Sequence, residues 1–103
     1  MNPHFAKLVD RLDRHCPVWQ TGLRRSVRLY LALREPGAPA QRIEALLRAV
    51  ERVLLGHLLH QDPGMSPAQA WGVLEHAQGS FLSDPARVQQ LRARRPGAQA
   101  PRD

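Results

Sequence analysis

The chain has 103 residues, 43% of them hydrophobic but only 5% aromatic, and a net charge of +6 from 15 basic and 9 acidic side chains. That length suits one domain with a modest core packed mainly by Leu, Val and Ala, a mixture that favours helices. A single thiol, Cys16, excludes an intrachain disulfide. No basic stretch leads into an apolar run, and the longest apolar segment, Val53 to Leu59, is interrupted by Gly56 and His57 and falls far short of the ~20 residues that cross a bilayer, so a cytoplasmic protein is expected.

The first element predicted is a helix over about Pro3 to His15, with Phe5, Leu8, Val9 and Leu12 at helical spacing and charged residues opposite. Asn2 is its expected N-cap, with Pro3 at the first helical position. Pro17 opens a second helix to about Arg34. Trp19, Leu23, Val27, Tyr30 and Leu33 share one face, widened by Val18, Leu29 and Leu31. The run Glu35-Pro36-Gly37-Ala38-Pro39 ends it, because proline disfavours helix in the residue before it.

A third and longest helix is predicted over about Pro39 to Gln61, as the centre of the bundle. Ile43, Leu46, Leu47, Val50, Val53, Leu54 and Leu58 form its stripe, and Glu44, Arg48, Glu51 and Arg52 its charged side. Beyond Arg52 the charged side disappears and Leu55 and Leu59 point away from the stripe, so the helix becomes apolar all round and must be covered all round. After the turn at Asp62-Pro63-Gly64, Ser66-Pro67-Ala68-Gln69 fits a capping box, opening a fourth helix with Trp71, Leu74, Ala77, Gln78 and Phe81 on one face and an interruption near Gly79. Ser83-Asp84-Pro85 reads as a second cap before a short fifth helix anchored by Val88 and Leu91. The segment from Pro96 is expected to be a loose tail. The fold class expected is therefore all-α, a four- or five-helix bundle in a single domain over residues 1–95, with a homodimer as its assembly.

No catalytic, cofactor or metal constellation is read from the chain. His57 and His60 lie three apart on one helix and could share a metal with His76 or Asp62, but a site needs three or four converging ligands, and His57 is better placed as a hydrogen-bonded core residue. His15 and Cys16 are neighbours in sequence and do not face each other on a helix, so Cys16 reads as a core thiol. The aromatic residues are assigned to the core in the same way.

Charge is segregated along the chain. Residues 1–34 carry seven basic and two acidic groups, residues 35–84 three and six, and residues 85–103 five and one. The sharpest basic patch is Arg24, Arg25 and Arg28 on the polar face of the second helix, and phosphate binding through it and through Arg92, Arg94 and Arg95 defines a nucleic-acid-binding alternative. The favoured function is a non-enzymatic regulator or adaptor that binds a protein partner through leftover apolar surface rimmed by these arginines. The candidate interface comprises Leu31, Val53, Leu55, Leu58 and Leu59, with Val73 beside them. In size and helical architecture, though in no motif, the chain is similar to small helical antiactivators of quorum-sensing regulators. That resemblance implies, as one concrete form, blockade of the dimerisation surface of a transcriptional regulator.

Overall fold

A computed structural model describes residues 3–93, with side chains from residue 5 onward. The expected cap at Asn2, the expected tail from Pro96, and Arg94 and Arg95 lie outside the described residues. Within them are five helices and no strand: α1 (Pro3–His15), α2 (Pro17–Leu33), α3 (Ala40–Gln61), α4 (Pro67–Leu82) and α5 (Pro85–Ala93). The expected all-α class is found, and the expected bounds of the first three helices are met to within a residue.

Local chemistry explains each junction. Cys16 stands in extended conformation ahead of Pro17, and the Gln20 side-chain amide donates to the Asp13 carbonyl, tying the start of α2 to the exposed end of α1. Gly37 in the α2–α3 link has φ +79°, a left-handed conformation that disfavours a β-carbon. At the start of α4, the Gln69 amide donates to Ser66 Oγ at 3.2 Å, and the Ser66 amide donates to Gln69 Oε1 at 2.9 Å, which completes the capping box. The expected interruption at Gly79 does not occur. Helix α4 runs through to Leu82 because one glycine weakens a helix by only about 1 kcal/mol, and the Gly79 carbonyl instead accepts the Ser83 amide and hydroxyl at the helix end. Asp84 Oδ1 then accepts the Ala86 and Arg87 amides and caps α5. Arg87 stacks 4.1 Å above the Phe81 ring and reaches Asp13 on α1, holding α5 against the bundle.

The core runs through Leu8, Val9 and Leu12 of α1, Trp19, Leu23 and Val27 of α2, Leu54 and Leu58 of α3, Val73, Leu74, Ala77 and Phe81 of α4, and Leu91 of α5. The long helix is not central. Helix α2 packs on all four others, whereas α3 lies to one flank and packs chiefly on α2 and α4. Its approach to α2 is close because position 22 is glycine: a β-carbon there would sit 2.6 Å from Leu54 Cδ2 and 3.3 Å from its Cγ. Since Leu54 is itself buried, a side chain at 22 must displace it. Gly22→Val is therefore expected to destabilise the fold by about 1–3 kcal/mol through overpacking. Gly22→Ala should stay nearer to neutral, because a helix-propensity gain of about 1 kcal/mol offsets the smaller clash. Denaturant midpoints of the two variants check this.

Glu51, expected on the charged outer side of α3, is only 5% exposed. The correction has a plain cause: α4 packs over that side and brings Gln78 to meet it. Glu51 Oε2 accepts from Tyr30 Oη at 2.6 Å and from Gln78 Nε2 at 2.9 Å, and Gln78 Nε2 also lies 2.6 Å from Ser26 Oγ. Ser26, Glu51 and Gln78 are all buried, so the network ties α2, α3 and α4 together inside the core. Burial, then the hydrogen bond and negative charge of Glu51, push the Tyr30 hydroxyl up from 10.0 to about 12. A raised acid favours the protonated fold, so this contribution is complete below pH 10 and is lost as pH rises from 10 to about 12. Thermal melts across that interval should fall more steeply for the wild type than for Tyr30→Phe; parallel curves would contradict the assignment.

Candidate protein-binding surface

The rotation of α3 decides which apolar residues are left outside. Its buried residues are Leu47, Glu51, Leu54 and Leu58, an arc turned by roughly 60° from the centre of the apolar stripe, taking 3.6 residues per turn. The stripe's trailing edge is consequently lifted into solvent: Val53 is 65% exposed and Leu46, two turns earlier, 39%. On α2, Val18 is 60% exposed, although the sequence places it as a widening of the buried face.

Val18 and Val53 flank an open groove of about 430 Å³ between the two helices, floored by Gly22, Val50 and Leu54. The glycine shapes this groove, since any side chain there would displace Leu54. Thr21 and Arg25 line the groove and also line the adjoining depression, whose other walls are Arg24, Arg28 and Leu29. An apolar trough thus passes directly into a basic channel. Every charged side chain of α2 is one of these three arginines, and none of them has an ion-pair partner among the described residues. Arg24 and Arg25 are exposed. Arg28 is half-buried, with its Nε shut from solvent and lacking a hydrogen-bond partner, and it too lines the channel.

The expected interface residues separate in the structure. Val53 is on the groove. Leu58 is fully buried and belongs to the core, because α3 turns it inward beside Leu54, and Val73 is likewise buried in α4. Leu55 and Leu59, expected to be the most uncovered pair, are half-buried and packed against the core. Leu31 is half-buried in a separate depression with Arg28, Leu29, Glu35, Leu91 and Arg92, remote in sequence from Val53 and not lining its groove. Arg24, Arg25 and Arg28 line one depression together. Sequence reasoning missed Val18 and Gly22 as parts of the surface, and also Trp71, which is 39% exposed rather than in the core. A small residue in the middle of an apolar face was the one available signal for Gly22.

At the Pro17 end of the groove a contact unites residues that lie 41 positions apart: Cys16 Sγ and His57 Nε2 are 3.1 Å from each other, both half-buried. The thiol therefore faces the imidazole of α3 and not its neighbour His15. No further side chain is hydrogen-bonded to His57 among the described residues, and no group of three or more His, Cys, Asp or Glu there converges as a metal site. No described helix is long and apolar enough to cross a membrane.

No protein-family model, curated protein or solved structure matches this chain.

Proposed function

We propose that the protein is a regulator or adaptor that acts by binding a protein partner along the α2–α3 groove. The observation that carries this reading is the pair Val18 and Val53, both well exposed on either side of an apolar trough whose floor includes the core residue Leu54. Isolated exposed aliphatic residues are ordinary, but a contiguous apolar depression with a charged rim has the anatomy of an interface, in which a few central residues contribute most of the binding. The shape favours a macromolecule over a small ligand. Small-molecule sites enclose most of their occupant, whereas this trough is open along its length. Blockade of a transcriptional regulator's dimerisation surface is one concrete form of this function.

The test is subtractive. Wild type and the Val18→Glu, Val53→Glu double variant are each used as bait in the native cell, and their melting temperatures are compared. The reading expects at least one protein to be retained by the wild type and lost by the variant, with the two melts within a few degrees. The same retained set from both baits would overturn it.

A further inference from the structure

We infer that the occupant of the groove is an amphipathic helix with an acidic flank, supplied by a different protein; this rests on the protein-binding reading above. Two helices packed side by side leave a furrow that a third helix fills with side chains at i, i+3, i+4 and i+7. Here the furrow offers apolar contacts from Val18 and Val53 over its length and arginines at one end, where Arg25 belongs to both the trough and the channel. A helix lying along it places its apolar stripe on the valines and brings one flank over Arg24, Arg25 and Arg28. Those guanidiniums have no ion-pair partner among the described residues, and the group that complements them best is carboxylate, which accepts paired hydrogen bonds from arginine.

The same charges disfavour a second copy of this chain. A two-fold contact sets like surface against like. On α2 the charged residues are all arginine, and neither the groove nor the channel is lined by a carboxylate. Self-association through the groove would juxtapose the arginines of the two copies with no carboxylate from the lining to relieve them. The apolar trough, for its part, has no use for a nucleic-acid backbone.

The test uses synthetic probes. One is a fluorescent amphipathic helix of about 18 residues, long enough to be helical in water, with a leucine stripe flanked by glutamates; the second is identical except for lysines on the flank. Anisotropy titrations against wild-type protein should show the glutamate helix binding at least about tenfold more tightly than the lysine helix. Arg24→Glu with Arg25→Glu, both at exposed positions, should invert that order. Val53→Glu should abolish binding of either. Equal binding of both helices, still lost in Val53→Glu, would overturn the acidic partner while leaving the protein-binding surface standing. Tighter binding of a random DNA duplex than of the glutamate helix would overturn the inference in favour of phosphate recognition. Sedimentation of the wild type as two protomers, reverting to one in Val53→Glu, would overturn it in favour of a second copy. Failure of both helices to bind would overturn the inference and the reading beneath it together.

Discussion

Glu51→Ala is expected to lower the melting temperature by more than ~10 °C, which corresponds to a loss of about 2–4 kcal/mol in a domain of this size. The carboxylate is buried, and it accepts from Tyr30 and Gln78 on two other helices, so truncation removes an acceptor shared by both donors and leaves a void. Two effects oppose each other. Burying a carboxylate costs desolvation, and exchange of a buried charge for a neutral group of the same shape is often neutral or favourable. Leaving the Gln78 amide with Ser26 alone and depriving the Tyr30 hydroxyl of its carboxylate acceptor costs about 1–3 kcal/mol for each group that water cannot reach. Alanine suffers the second effect in full. Glu51→Gln keeps an acceptor and the volume, and should remain within about 1 kcal/mol of wild type. Equilibrium denaturation of both variants gives the ordering, and a Glu51→Ala protein as stable as Glu51→Gln would show that the network contributes nothing.

Leu58→Ala should cost about 2–5 kcal/mol, the range for emptying a core leucine site, while Val53→Ala, five positions away on the same helix, should stay within about 0.5 kcal/mol. The contrast follows from position alone. Leu58 is fully buried among residues of the core, whereas Val53 stands in solvent at the edge of the groove. Chemical denaturation separates the two. A large loss at Val53 would mean that it packs within the protomer, and the groove would lose its most exposed wall.

The helices were legible in the sequence because their ends are written in local chemistry. Prolines at the first helical positions, the Ser66 and Gln69 pair, and Gly37 in the link act over a few residues, and the structure uses each of them as expected. The surface was less legible, because periodicity shows that α3 has an apolar stripe but not which neighbours cover which part of it. Helix α3 sits at the flank and turns toward α4, drawn in by the Gln78–Glu51 bond on one side and allowed to settle onto Gly22 on the other. That turn draws Glu51 inside, against expectation, and leaves Val53, a stripe residue also named as a candidate interface residue, outside. It also leaves Leu55 and Leu59, the residues that look least sheltered on a helical wheel, half covered. The three arginines line one depression, and their grouping was legible because three cations on one polar helix face need no tertiary information to be placed together. The Cys16–His57 contact was beyond reach of the sequence, since it depends on how α3 returns along α2.

A photoreactive benzoylphenylalanine in place of Val53, expressed in the native cell and irradiated, reports directly whether the groove is occupied. The same residue in place of His76, exposed on α4 and not lining the groove, serves as control. A covalent adduct with a second protein from position 53, and none from position 76, is the predicted result. No adduct from 53, or the same adducts from both positions, would contradict a binding surface between α2 and α3.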